Sequence, residues 1–547
     1  MHQVLSRIGR LNEIGIALSA ASDVNILCDK ILAGAMELTN SDGGSLYQMS
    51  EDKCSLEFII VSTHSLDIYM GGGSGHEINF PPIPLMVNGK ANKSNVVSSA
   101  VHDETTINIP DVYHAVGFDF SGTREFDRQT GYHTQSILTI PLKNHHKDII
   151  GVLQLVNAKD ETGKKTREFT IADQQLAESL ASQAAVAITN NKLIEQQREL
   201  FQAFIKLIAG AIDEKSPYTG GHCKRVPELT MMIAEACHNA DCGALKDFKM
   251  TDKDRYELSI AGWLHDCGKV ATPEYVVDKA TKLETIYDRI NTVDTRFEVL
   301  KRDATIESLK QKLERLTKAA SACTLIDSAL IDCSDVDRAL QQKIAQINAD
   351  RDFIRSSNIG GEHMDESLQQ RVSDIAEQLW LGPDGVKTKI ISDNEIENLC
   401  VATGTLTQDE REVINNHMAV TIKMLAQLPF PEHLANVPEY AGGHHEHMDG
   451  TGYPNGLTRE QMSLQARMMG IADIFEALSA SDRPYKTGKS LTECLSLLGT
   501  MKIDKHIDPD IFDVFVRDKV YLRYAKAFLA KSQIDEVNHA DIPGYDN

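Results

Sequence analysis

One stretch limits what this chain can fold into more than any other. From the region of Asp173 the residues LAESLASQAAVAITNNKLIEQQRELFQAF predict a single long helix, over about 174–212. Within it Leu176, Leu180, Gln183, Ala187, Asn190, Ile194, Gln197, Phe201 and Phe204 step alternately by four and three residues, an apolar seam with polar interruptions. Such a face packs either on its own domain or against a second copy of the helix. Its polar members would set the register of a coiled coil, so a homodimer through this connecting helix is expected. In both cases the helix separates two parts of different pattern.

The part before it, about residues 10–190, reads as one α/β domain. A helical stretch from Ile14 to Leu38 leads to the β-rich runs SLEFIIVSTHS, QSILTIPLK and DIIGVLQLVNA. Residues 144–148 join the last two through a turn-like segment, which predicts an antiparallel hairpin. The stretch NIPDVYHAVGFDFSGTREFDRQTGYHTQSILTIPL, with Phe126, Asp127, Thr130, Gly131, Tyr132 and Thr134, resembles the GAF domains of cyclic-nucleotide phosphodiesterases. The resemblance implies an antiparallel sheet with flanking helices. It leaves two roles open, a sensor holding a small ligand or a ligand-free dimerisation module, because the complete Asn, Lys, Phe, Asp and Glu set of those domains is not matched.

Charge and cysteine usage exclude several classes. Lys and Arg total 56 against 79 Asp and Glu, a formal charge of −23, which argues against a nucleic-acid polymer as partner. An anionic small substrate is still allowed where metals or local cations reverse the field in one site. The 10 scattered cysteines contain no CxxC pair, so reduced thiols are expected rather than a zinc ribbon or a disulfide framework. The N-terminal residues read as an amphipathic helix and not a signal peptide, and no run approaches the ~18 apolar residues of a membrane span. A cytoplasmic location is the expectation.

Residues from about 205 to 545 are mostly helical, with an excursion at about 280–400. There Leu283, Ile286, Ile290, Val293, Phe297 and Leu300 form one stripe, and Leu340, Ile344, Ile347 and Ile354 a second. Two antiparallel helices would bury both. Nothing in the excursion has catalytic spacing, so a structural or interaction insertion is expected.

The residues that carry chemistry lie outside it. They are His222, His265 and Asp266 in HDCGK, His417, His444 and His445 in HHE, and Asp473 in GIADIFEAL. Imidazoles and carboxylates without a thiolate select a hard to borderline divalent ion over a structural zinc–thiolate site. His265 and Asp266 differ by about 100° around a helix, yet both can reach a cluster at its end. A carboxylate flanked by imidazoles can bridge two cations, and paired cations suit phosphodiester hydrolysis. Lys269, one turn beyond Asp266, is the natural cation for a phosphate or departing oxygen. Gly450 and Gly452 allow unusual torsions or close approaches, Pro454 stiffens the exit, and Tyr453 offers a flat face and a hydroxyl. Arg483 and Lys486 in DRPYK supply cationic contacts, unless Arg483 instead ties its loop to Asp482 or Glu476.

An HD or HHE pair alone is weak among 19 histidines, but the ordered set is specific. HDCGK (265–269), HHEHMDGTGYPNGL (444–457) and MMGIADIFEALSASDRPYK (468–486) strongly resemble the HD-GYP subgroup of the HD phosphohydrolases, enzymes acting on cyclic di-GMP. The resemblance implies an all-α catalytic domain over about 205–545. It implies one metal held by His222, His265, Asp266 and Asp473, and a second held by His417, His444 and His445 with Asp266 bridging. Fe or Mn would be the first choices, Zn, Mg and Ni the others. His265, Asp266 and Lys269 would be catalytic, and Lys269, Gly452, Tyr453, Pro454, Arg483 and Lys486 would meet the substrate. The expected reaction converts cyclic di-GMP to pGpG, GMP or both. Another cyclic dinucleotide such as cyclic GMP-AMP, or nucleotide binding by an adaptor without turnover, are the alternatives. Three departures bear on this: Arg483 lies ten steps after Asp473, Tyr218 stands where some members offer a Glu to a third metal although Glu214 is near, and the excursion separates His265 from His417 by 152 residues. It must leave and re-enter the core at neighbouring points.

Overall fold

The computed structural model describes residues 2–20, 23–215, 221–322, 332–360, 363–480 and 488–545. It divides into two units, residues 1–201 and 202–547.

In the first unit the N-terminal amphipathic helix and the helical stretch from Ile14 to Leu38 form two helices, α1 (His2–Ser19) and α2 (Val24–Thr39). The break follows from Asp23, whose carboxylate accepts the N–H groups of Asn25 and Ile26 and starts a new helix. Six strands follow: β1 (Ser41–Met49), β2 (Ser55–Thr63), β3 (Ile68–Gly71), β4 (Ile107–Ile109), β5 (Ile137–Lys143) and β6 (Ile149–Lys159). They pair antiparallel in the order β3-β2-β1-β6-β5-β4, with two short strands at Ile83–Pro84 and Thr166–Arg167 beside β2 and β6. β5 and β6 form the hairpin, Leu138 opposite Leu155 and Ile140 opposite Leu153.

Side chains on one face of the sheet, among them Leu46, Ile60, Leu138 and Leu155, form a core with Ile31 and Leu32 of α2 and Leu180 of α3 (Ile171–Lys215). Each such fully buried aliphatic contributes about 1.5–3 kcal/mol. On α3 the seam residue Leu180 is buried in this core with Ala177, Ala181 and Ala184, and Leu176 and Ala187 pack against it. Further along, the exposed apolar residues repeat every seven positions at Val186, Leu193 and Leu200, a stripe beside the one read from spacing.

The second unit is helical apart from one two-stranded ribbon among the described residues. The elements that position the site are α4 (His222–His238), α5 (Asp252–Leu264), α6 (Ile290–Ala322), α7 (Ser334–Ser357), α8 (Gln408–Asn415), α9 (His417–Leu425), α10 (Val437–Gly442) and α11 (Leu464–Ser479). α4 packs on both α5 and α11. Phe475 of α11 is fully buried between Phe515 and Tyr524.

The excursion contains the antiparallel helices α6 and α7, which are tied by Arg355 to Asp294, Arg351 to Glu298 and Arg315 to Asp335. It is more than a hairpin. Val293, Phe297, Ile347 and Ile354 share a core with Val372, Ile375, Ile390 and Leu399, and Leu379–Leu381 pairs with Lys387–Lys389. Leu283 and Ile286 are not on α6: the Glu284 carboxylate accepts the N–H groups of Ala280 and Thr281 in a turn before the helix, leaving Ile286 95% exposed. The excursion leaves and returns at one place. Lys279 Nζ reaches Glu410 of α8 at 2.7 Å and Asn398 at 2.6 Å, and Lys282 Nζ donates to the carbonyls of Leu399 and Val401. That closure delivers His417, 152 residues after His265 in the chain, beside Asp266.

Candidate metal centre

Four helix ends and one helix interior supply the seven side chains. His222 opens α4, His265 and Asp266 follow α5, His417 opens α9, His444 and His445 follow α10, and Asp473 lies within α11. Helix ends suit this work because a side chain there is free to turn inward without displacing a neighbouring turn.

Two groups form. In the first, His222 Nε2 lies 3.1 Å from Asp266 Oδ2, 3.3 Å from Asp473 Oδ1 and 3.3 Å from His265 Nε2. In the second, ligand nitrogens of His417, His444 and His445 lie within 4.8 Å of one another. Asp266 links them. Its Oδ2 faces His222 and His265, while its Oδ1 is 3.4 Å from His417 Nε2.

The imidazoles are oriented from behind. Nδ1 of His265 donates to the carbonyl of Gly262 and that of His444 to Ala441, both at 2.7 Å, and Nδ1 of His417 donates to Ile414. His222 Nδ1 meets Glu476, which Arg225 holds in turn. A proton fixed on Nδ1 leaves Nε2 with its lone pair toward the cluster, the usual arrangement of a ligating histidine.

Among the described residues, His417 Nε2, His444 Nε2 and Asp266 Oδ1 are buried without a hydrogen-bond partner. Orphaned buried polar atoms are rare and costly. Three of them converging in one place, all of ligand type, fit a divalent cation.

Electrostatics separate the groups. Burial opposes charge on His222, but Asp266, Asp473 and Glu476 outweigh it and hold its pKa well above the ordinary value. Burial likewise opposes charge on Asp266, yet Lys269, His265 and His222 hold its carboxyl well below the usual range. In the second group burial and the neighbouring imidazoles hold His444 far below the ordinary value, and burial pushes His445 down to about 4. Both are therefore neutral at pH 7.

Lys269 Nζ lies 2.6 Å from Asp266 Oδ2, at the edge of the first group, on a tight 3-10 turn (Cys267–Ala271). Gly268 is required there: a Cβ would stand 2.0 Å from the His417 carbonyl, and its N–H donates to Thr421. Tyr453 stacks on His445 with ring centroids 4.9 Å apart. Gly452 passes so close to Glu446 and His447 that a Cβ would meet backbone at 2.3 Å. Pro454 follows in the same loop. Arg483, Lys486 and Tyr218 lie outside the described residues, and Glu214 is exposed.

Two carboxylates, Glu446 of the HHE motif and Glu476, received no role in the site from the sequence. Glu446, buried, accepts the N–H groups of Asn455 and Leu457 and so holds the loop bearing Tyr453. Glu476 sits one turn beyond Asp473, a spacing that put it within reach of His222 but named no partner.

Residues 23–188 match the family model of the GAF domain, and residues 390–511 that of the HD domain. The chain joins a GAF domain to an HD domain. The HD match includes His417, His444, His445 and Asp473 and starts late in the excursion, leaving His222, His265 and Asp266 before it. A cyclic di-GMP phosphodiesterase of Pseudomonas aeruginosa is 39% identical over 114 residues, 21% of this chain and 26% of that protein. A 3'3'-cGAMP-specific phosphodiesterase of Vibrio cholerae is 34% identical over 122 residues, 22% and 27% of the two chains. The cyclic di-GMP phosphodiesterase response regulator RpfG of Xanthomonas campestris is 34% identical over 128 residues, 23% and 32%. The matched segments thus span a quarter to a third of these relatives. A solved GAF domain from a Coxiella burnetii phosphoenolpyruvate-protein phosphotransferase aligns over 35% of this chain and 98% of its own at 12% identity, with TM-score 0.28.

Proposed function

We propose that the HD domain is a metal-dependent phosphodiesterase that opens cyclic di-GMP to pGpG and GMP. The observation that carries this reading is the shared Asp266, one oxygen toward each group, with unpartnered Nε2 atoms across from it. His222, His265, Asp266 and Asp473 would hold one cation, and His417, His444, His445 and the other oxygen of Asp266 a second. Two such cations supply Lewis acidity toward phosphate and activate water at neutral pH.

The chain's own residues do the rest. Lys269 stays protonated beside Asp266 and Asp473 and offers its charge to a phosphate oxygen. Burial raises the Tyr453 hydroxyl far above neutrality, so it remains a hydrogen-bond donor on a ring braced by His445. Glu446 holds the loop that carries it. Arg483 and Lys486 would extend the cationic contacts to the bases and outer phosphate. One water is consumed and one P–O3′ bond broken per step.

Protein loaded with Mn or Fe should release pGpG or GMP from cyclic di-GMP, and Asp266→Ala should lower turnover about a thousandfold, equivalent to about 4 kcal/mol. Equal turnover by both proteins overturns the reading, and binding without turnover replaces it with an adaptor. Cyclic GMP-AMP is a second candidate substrate, favoured by the cGAMP-specific relatives, and side-by-side rates decide between them. The GAF domain is the proposed regulator, responding to a small ligand, and the stripe Val186, Leu193 and Leu200 is the proposed seam of a homodimer.

A further inference from the structure

The last turn of α3 carries two side chains that serve the HD site without touching its ligand atoms. Lys215 Nζ donates to three carbonyls, those of Lys269 at 3.0 Å, Val270 at 2.7 Å and Thr272 at 2.6 Å. These oxygens crowd the end of the 3-10 turn that carries Lys269, where such a turn leaves carbonyls exposed and a cation is favoured. The opposite side of the turn is wedged against α9, Gly268 lying under the His417 carbonyl and its N–H on Thr421. Two residues before Lys215, Asp213 accepts the N–H of Gly221 at 3.0 Å and of Cys223 at 3.2 Å, bracketing His222. One helix end thus grips both strands of chain that meet in the first ligand group.

We propose that Lys215 and Asp213 form a positioning clamp, which holds the 3-10 turn of Asp266 and Lys269 in register with His222 and makes the end of α3 the point where a movement of that helix reaches the HD site. The clamp rests on the hydrolase reading for its effect on rate, but not for its effect on metal binding.

The test compares wild type, Lys215→Met, Lys215→Arg and Lys206→Met in the full chain. Lys206 lies on the same helix, packs over Trp263 and makes none of the contacts to the 3-10 turn described for Lys215, and serves as the control for helix anchoring. Lys215→Met should weaken Mn binding to metal-stripped protein about tenfold by calorimetric titration and lower kcat about tenfold or more with KM little changed, as loss of support behind ligands does. Lys215→Arg should recover most of both, and Lys206→Met should change neither. Wild-type Mn affinity in Lys215→Met, or an equal loss in Lys206→Met, overturns the clamp. A wild-type protein that binds Mn but turns over no cyclic dinucleotide fails the hydrolase reading instead, and the Mn titration still decides the clamp.

Discussion

The two halves of the candidate centre are built from similar residues and solve opposite problems. Around His222 and His265 the imidazoles face carboxylates, Lys269 adds a charge, and nearly every polar atom has a partner. Around His417, His444 and His445 the rings face one another, the backbone carbonyls of Ile414 and Ala441 hold Nδ1 of His417 and His444, and the Nε2 atoms of those two have no hydrogen-bond partner among the described residues. The first half is stable as a charge network and must give up a proton to take a cation. In the second, His444 and His445 are neutral. Asp266 alone belongs to both.

Breaking the second half should separate them most sharply. His444→Ala is expected to lower the bound metal from two ions per chain to one and turnover about a hundredfold, because the remaining half keeps its charges; metal analysis of the purified variant reads the stoichiometry, and loss of both ions would show the halves to be one unit. A smaller effect is expected behind the first half. Glu476→Gln removes the negative partner of His222 Nδ1 and should cost about tenfold in turnover and leave the second ion in place, checked by the same two measurements.

Asp508 sharpens the contrast from outside the centre. It is as buried as Asp266, but Arg459, Arg467 and the N–H groups of Asp510 and Ile511 answer both its oxygens. Burial opposes its charge, and Arg459 and Arg467 hold its carboxyl below the ordinary 3.8. A depressed folded-state pKa gives stability that is full above the unfolded value and is lost as pH falls through the folded one. Thermal unfolding with chelator present should therefore show no loss from this group between pH 7 and 5 and a fall only below about 4. Asp508→Asn should cost about 3–5 kcal/mol at neutral pH and flatten that acid limb.

Much of this was legible in the chain before any coordinates. The β5–β6 hairpin followed from alternating apolar runs around a polar turn, and the long helix from its seam. Within the helical stretch from Ile14 to Leu38 the boundary was not legible, because the N-cap at Asp23 interrupts the helix without disturbing the apolar spacing. The stripe through Leu283 and Ile286 failed for a related reason: three-four spacing persists through a turn that Glu284 makes by local hydrogen bonds. On α3 spacing alone could not say where burial of the seam stops: Leu180 lies in the core with Ile31, Leu32 and Leu155, whereas Ile194 and Phe204 further along are exposed.

For the site, the ordered histidines and aspartates, Lys269 and the glycines were all readable, since ligand chemistry is a property of residue type. The roles of Glu476 and Lys215 were not, because their partners, a ring and three carbonyls, lie far away in sequence, and that of Glu446 was not, because its partners are backbone N–H groups, which carry no residue signature. The chain by itself determined the inventory: which donors exist, of what hardness, and on which periodic elements. Only the tertiary structure decided that Lys279 and Glu410 close the excursion so that His417 arrives beside Asp266, and that backbone carbonyls turn Nε2 of His265, His417 and His444 inward. Periodicity is local and survives in one dimension, whereas the meeting of helix ends depends on packing among segments that the sequence holds far apart.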